Sequence, residues 1–230
     1  MAKYFTSDLH LFHENILKFS KRPFASISEM HEALITNWNS VVTNQDIVYL
    51  LGDVSFSKDI SQTIKILHRL NGNIILVKGN HDERNMVAAY KDSNSVSLVK
   101  DLYEFFEVVD GVKYKFSLMH YPMSEWRSSH HGAIHLHGHC HGTMDNSGLL
   151  RIDVGTDCWN YTPVSLDQIV STIKEKQARI ASGEEPTLNS YDNRSARFKE
   201  LYFEVEENYA GFMSNYMKYK EFYEANNQTN

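Results

Sequence analysis

The sequence predicts a layered α/β (α+β) domain followed by a helical appendage. Short β-branched or aromatic runs alternate with segments of helical period from Lys3 to about Pro163. The runs end in loops rich in Asp, Asn and His, and a separate aromatic stripe begins beyond residue 195. At 230 residues the chain can bury a sizeable core without disulfide or metal staples.

In chain order, KYFTSD from Lys3 reads as a short strand. Ser28 is expected to cap a helix through Met30, Leu34, Ile35 and Trp38, with Glu29 and Glu32 in its first turn, where carboxylates suit the helix dipole. DIVYLLGD is a buried strand ending in a loop. Ile60, Ile64, Leu67 and Leu70 mark the next helix, closed by Asn71-Gly72, and NIILVKGNHD is a second buried strand. Tyr103 to Val109 and Val112 to Met119 form a hairpin around Asp110-Gly111. AIHLHGH and LLRIDVG supply further strands, and Leu166, Ile169, Val170 and Ile173 mark another helix.

These boundaries divide the chain into a main domain over residues 1–180, a polar linker over 181–195 and a C-terminal aromatic amphipathic helix over 196–225. In that helix Phe198, Tyr202, Val205, Tyr209, Phe212, Tyr216, Tyr219 and Tyr223 follow at intervals of three and four. Such a stripe either packs on its own domain or makes a homo-oligomer contact. Residues 181–230 hold nine acids against five bases, so the appendage carries most of the net charge of -6.

An acidic chain is a poor non-specific ligand for a phosphate backbone, so long nucleic acid is not expected as a partner. No apolar run exceeds the length of Ile47 to Leu51, far short of a membrane span. The N-terminus MAKYFTSDLH lacks the apolar core of a secretory signal, and Cys140 and Cys158 make no disulfide framework. A cytoplasmic location is expected.

Half of the 12 histidines fall between His130 and His141. More telling are the strand ends. They deliver Asp8-Leu9-His10, then Gly52-Asp53, Gly79-Asn80-His81-Asp82, His120-Tyr121-Pro122 and Gly138-His139-Cys140-His141. Each fragment alone is an ordinary turn, or for the histidines a metal-sticky surface tract. Five in order, each after a strand, point to one site at the strand ends, where ligands collect in α/β folds.

This series resembles the calcineurin-like metallophosphoesterase superfamily, whose pattern runs Asp-x-His, Gly-Asp, Gly-Asn-His-Asp/Glu, a later His, and Gly-His-x-His. The resemblance covers residues 8 to 141. It implies a four-layer αββα sandwich with two divalent metal ions at the strand ends. Asp8, His10 and His141 would hold one metal, Asn80, His120 and His139 the other, and Asp53 would bridge them. Such mixed nitrogen and oxygen donors suit manganese first, with Fe, Zn, Ni or Co as other candidates, better than Ca or Mg. With one further cysteine and no Cys-x-x-Cys pair, a Cys/His zinc site around Cys140 is disfavoured. Strand alternation would point His139 and His141 to one side and Cys140 to the other, and would likewise align Asp8 with His10.

Two metals about 3.5–4 Å apart can share a water and present hydroxide to phosphorus. The resemblance makes His81 the catalytic residue, unligated beside the metals and poised to polarise the phosphoryl group or protonate the leaving oxygen. Serine/threonine phosphatases of the superfamily extend their second motif to Gly-Asp-x-x-Asp-Arg-Gly, and the added Asp orients the catalytic His. Here Gly52-Asp53 continues Val54-Ser55-Phe56-Ser57, leaving adjacent Asp82 as the candidate orienter.

His13, Arg22 and Trp126 are candidate substrate contacts, with Asn15 and Arg127 beside them. The alternative for Trp126 and Phe24 is the core, and for His13 the surface. His31, His68, His130, His131 and His135 read as structural or solvent-facing, and His137 as a candidate support for the ligands. The expected activity is hydrolysis of a small phosphodiester or nucleotide-type phosphoester. A metal-dependent nuclease acting on DNA or RNA ends and a non-catalytic metal-site scaffold are the competing readings.

Overall fold

A strand that is apolar on both sides needs cover on both sides. Ile47–Leu50 (β2) finds it: Val48 and Leu50 enter one core cluster, while Tyr49 and the following Leu51 enter another. The computed structural model describes residues 1–185, which form one unit. The appended helix expected over 196–225, its oligomer contact and the linker beyond Glu185 lie outside the described residues.

The first sheet has the order β4-β3-β2-β1-β9. Lys3–Thr6 (β1), β2, Asn73–Val77 (β3) and Leu98–Lys100 (β4) run parallel, and Val164–Ser165 (β9) pairs antiparallel with β1. Parallel neighbours require crossovers. After the single-turn helix α1 (Ile16–Phe19), these are α2 (Ile27–Val41), α3 (Ile60–Leu67) and α4 (Arg84–Asp92). Met30, Leu34 and Trp38 of α2, Ile66 and Leu67 of α3, and Met86 and Tyr90 of α4 pack the first cluster.

The second sheet runs Tyr103–Val109 (β5), Val112–Leu118 (β6), Ile134–His137 (β7) and Arg151–Asp153 (β8) in that order. Asp110 and Gly111 both have positive φ, 51° and 76°, which a two-residue hairpin turn demands. The sheets meet through a continuous aromatic stack. Ring centroids of Phe5 and Tyr49 lie 5.2 Å apart, Tyr49 and Phe105 5.2 Å, and Phe105 and Phe116 5.0 Å. Two sheets flanked by helices is the expected architecture. Leu166–Ser182 (α5) adds Ile169, Val170 and Ile173 to the cluster between the sheets.

Local details differ from the sequence expectation. The N-cap of α2 is Ser26, not Ser28: the Ser26 side chain accepts the Glu29 N–H at 3.2 Å, and Glu29 Oε2 accepts the Ala25 N–H at 2.7 Å. Helix α3 stops at Leu67, and Asn71-Gly72 instead turns the chain into β3 with Gly72 at φ +91°. Elements α4, β4 and β9 occupy stretches that periodicity leaves unassigned, because they are short and their apolar stripes sit among charged and polar residues. Helix α5 is closed at both ends, by a capping box of Ser165 with Gln168 and by Gly183 in the left-handed region.

Buried His135 alternates with Ile134 and Leu136 on β7. Its Nδ1 lies 2.9 Å from the Ser117 carbonyl, and its Nε2 accepts the Met123 N–H at 3.1 Å. Burial pushes this imidazole down to about 4, the backbone bonds opposing only in part. The unfolded chain therefore takes up the proton first as pH falls. The neutral histidine contributes its full stability above pH about 6.5 and loses it progressively towards pH about 4, a span worth roughly 3 kcal/mol. Urea unfolding should show wild-type protein losing stability more steeply across that window than His135→Asn. Parallel profiles would exclude this group as the titrating one.

Candidate metal centre

Strand β1 ends at Thr6, and the chain then bends repeatedly through the left-handed region, with φ of 59° at Asp8 and 51° at His10. The N–H groups of Asp8 and His10 donate to the carbonyls of Gly52 and Asp53, each at 3.1 Å, locking the first loop to the second. Strand β7 likewise ends at His137, and His139 and His141 have φ of 69° and 48°. Strand alternation therefore fails for this segment. His141 joins Asp8 and His10 in one group of donors, while His139 joins Asp53 and His120 in another. Within each group one donor atom per residue lies within 4.8 Å of the others.

Asp53 stands between the groups. Its Oδ1 is 3.5 Å from His120 Nε2, and its Oδ2 is 3.7 Å from His10 Nε2. Asn80 Oδ1 lies 3.0 Å from the same His120 nitrogen. The closeness has a steric condition: a Cβ at Gly138 would collide with Ser7 Oγ and Asp8 Oδ2. Glycine is the residue that lets the fifth strand-end loop approach the first.

Surrounding groups aim these donors. His120 Nδ1 is 2.6 Å from the Leu51 carbonyl, and His141 Nδ1 is 2.7 Å from Asp157 Oδ2, which leaves each Nε2 facing inward. Burial alone would raise the Asp8 carboxyl, but the His10 side chain and the neighbouring imidazoles outweigh it and hold the group at about 2. Burial opposes ionisation of Asp157 too, yet His141 and Arg22 keep it below the usual carboxylate range. Asp8 Oδ1 and His10 Nε2 are buried, 3.7 Å apart, and neither has a hydrogen-bond partner among the described residues. Orphaned donors of opposite charge preference, among four imidazoles, two carboxylates and an amide oxygen, fit divalent cations of the first transition row.

Several expected roles change. Arg22 is not a substrate contact. It is 4% exposed, forms a two-pronged pair with Asp157 at 2.8 Å on each arm, and donates to the carbonyls of Asp8 at 2.7 Å and Leu9 at 3.0 Å. Trp126 is not one either: it is 5% exposed in the inter-sheet cluster, with Nε1 donating to Ala133 O at 2.9 Å. Phe24 packs against Tyr161 and the first core cluster, and exposed Arg127 turns to Glu104 on β5. Asp82 does not orient His81. Its carboxylate accepts the N–H groups of Asp53, Val54 and Gly79 at 2.8–3.0 Å and so fixes the loop that carries Asp53.

His81 stands at the rim with its side chain 46% exposed and Nε2 4.0 Å from Asp53 Oδ2. Its neighbour is Phe56, at 4.4 Å between ring centroids. The same ring stacks on His13 at 4.0 Å and on His10 at 5.0 Å, while His13 Nδ1 lies 3.0 Å from His10 Nδ1. Phe56 and Asp157 are the positions that sequence reasoning missed. An aromatic three residues after Asp53 was a visible signal; nothing in the residues around Asp157 marked it. His137 supports the last loop by placing Nδ1 2.8 Å from the Gly138 carbonyl.

The model of the calcineurin-like phosphoesterase family matches residues 1–171. The chain belongs to this family. Its members are generally phosphoric ester hydrolases, and the two donor groups described above are where this phosphoesterase-family chain gathers side chains that could hold a metal ion. An uncharacterized protein of Methanocaldococcus jannaschii is 37% identical over 179 residues, covering 75% of this chain and 91% of that one. The Gene 66 protein of Mycobacterium phage L5 is 29% identical over 203 residues, covering 74% and 93%. A solved structure of an Aquifex aeolicus protein of unknown function is 23% identical with a TM-score of 0.59, covering 74% of this chain and 98% of that one, and shares the fold. No helix among the described residues is long and apolar enough to cross a membrane.

The Arg22–Asp157–His141 relay can be tested directly. Asp157→Asn should weaken Mn²⁺ binding about 10–100-fold in calorimetric titration, the usual scale for losing a carboxylate behind a ligating histidine. Unchanged affinity would show that His141 is held by other means. Arg22→Met leaves the Asp157 charge buried without its partner and should lower unfolding stability by about 3–5 kcal/mol, read from urea denaturation.

Proposed function

We propose that this chain is a dinuclear metal-dependent phosphoesterase acting on a small phosphodiester or nucleotide-type phosphoester. Asp8, His10 and His141 would hold one cation, Asn80, His120 and His139 the other, and Asp53 would be shared. The observation that carries the reading is the position of Asp53, whose two carboxylate oxygens face different donor groups. Bound there, a pair of divalent cations supplies an activated solvent nucleophile and positive charge against the phosphoryl oxygens.

The protein contributes positioning and proton transfer. The Asp82 carboxylate holds the Asp53 loop, and the Arg22–Asp157 pair holds His141, so the donor groups need not rearrange during turnover. His81 is free of both groups, half exposed, and close enough to Asp53 to present a proton at the rim. Its role is to protonate the oxygen leaving phosphorus. The mixed donors favour manganese, with Fe, Zn, Ni or Co able to occupy the same sites. The free thiols of Cys140 and Cys158 support a cytoplasmic location, where thiols stay reduced.

Full-length protein supplied with Mn²⁺ should hydrolyse members of a panel of phosphomonoesters, linear and cyclic phosphodiesters and nucleotides; failure on the whole panel would sink the reading. His81→Ala should keep its metal content and lose roughly 10²–10⁴-fold in kcat. Asp53→Asn should lose metal, measured by elemental analysis after gel filtration, because the shared group gives up its charge. An unaltered metal count and rate would argue against the bridging role.

A further inference from the structure

We propose that the cavity bounded by His81, Phe56, Ile60, Met86, Lys58 and Asn85 receives the leaving group of the substrate and selects a nucleoside. The inference rests on the phosphodiester reading above and names the substrate class for the same site. The cavity measures about 440 Å³ and has Asn80 and His81 in one wall, so it opens directly off the metal centre. A volume in this range accommodates a compact organic ligand.

Its place relative to His81 decides which part of a substrate it meets. If His81 protonates the departing oxygen, the group bonded to that oxygen leaves beside the imidazole, and the cavity that His81 lines is the space next to it. The floor is apolar: Phe56 is half-buried, Met86 buried and Ile60 half-buried. The rim is polar. Lys58, Glu83 and Asn85 are exposed there, and neither Lys58 nor Glu83 forms an ion pair with a described residue. The floor belongs to the ends of α3 and α4, since Ile60 opens the first helix and Met86 sits in the first turn of the second.

An apolar floor that includes the Phe56 ring, under a rim offering a cation, a carboxylate and an amide, matches a ring with a hydrogen-bonding edge, as in a nucleobase. A small aliphatic alcohol would cover little of the floor and reach none of the rim groups. In the reaction, water adds to phosphorus and the ester bond to the nucleoside oxygen breaks. His81 gives its proton to that oxygen, and the proton lost by water restores His81. The products are a free nucleoside and a phosphomonoester.

The test uses two symmetric diesters, so that the leaving group is the same whichever bond breaks: a dinucleoside monophosphate of one nucleoside joined 5′ to 5′, and bis(glyceryl) phosphate. Lys58→Ala removes a charged contact, and Asn85→Trp fills the mouth. Each should raise the KM of the dinucleoside substrate relative to that of the glyceryl diester about 10-fold, the scale of one lost charged hydrogen bond. Binding of free adenosine to the full-length protein, followed by calorimetry, needs no turnover and should be lost in Asn85→Trp. Equal KM changes for both diesters, or adenosine binding untouched by Asn85→Trp, would overturn the inference. Adenosine binding that is lost in Asn85→Trp, alongside hydrolysis of neither diester by wild type, would uphold the cavity and refute the proposed reaction instead.

Discussion

Two ionisable carboxylates, Asp8 and Asp53, are buried within a few ångströms of four imidazoles, and holding them there is the demand around which the strand ends are built. An isolated buried anion costs several kcal/mol, so it must be met by donors or by positive charge. Backbone amides meet part of the demand: Asp8 Oδ2 accepts the His139 N–H at 2.9 Å, and Asp53 Oδ1 accepts the His81 N–H at 3.0 Å. Among the described residues Asp8 Oδ1 and His10 Nε2 remain without hydrogen-bond partners, which is the feature a cation would satisfy.

The loops carry that demand in their backbone. Asp8, His10, Asp53, His139 and His141 all have positive φ, a region that non-glycine residues rarely visit and that collects at functional sites. The strain is held by the sheets behind it. Thr6 and Leu50 are paired across β1 and β2, and Leu136 and Ile152 across β7 and β8, so each bent loop starts from a fixed strand end. A second ring of polar groups, Arg22, Asp82 and Asp157, then fixes the loops to one another through buried charge-assisted bonds, the strong class of hydrogen bond.

Sequence reasoning reached the strands and the donor residues for different reasons. Strands β2 and β3 were legible because uninterrupted apolar runs end in Gly-Asp and Gly-Asn-His-Asp, and the hairpin because Asp110-Gly111 demands positive φ. The donors were legible because their fragments recur in order after strands. Their grouping followed from the family resemblance and not from strand alternation. His139 and His141 were expected on one face of a strand, but two left-handed residues send them to separate groups. Arg22 and Asp157 show the other limit. A guanidinium near the site by sequence looks the same whether it meets a ligand or a buried carboxylate 135 residues away, and only the fold distinguishes them. Short elements such as α4 and β9 escape periodicity because their stability comes from packing, not from pattern.

The ion pair between Arg22 and Asp157 joins the opening of the domain to its final stretch, and β9 closes the first sheet only after Val164. On a ribosome, where chains emerge from the N-terminus, the early carboxylates must wait for imidazoles that arrive more than eighty residues after Asp53 and for an anchor that arrives later still. Nascent fragments shorter than this can collapse around their apolar strands but cannot complete the constellation. A metal pair held by these residues would therefore be captured only after the last of the strand-end loops has emerged.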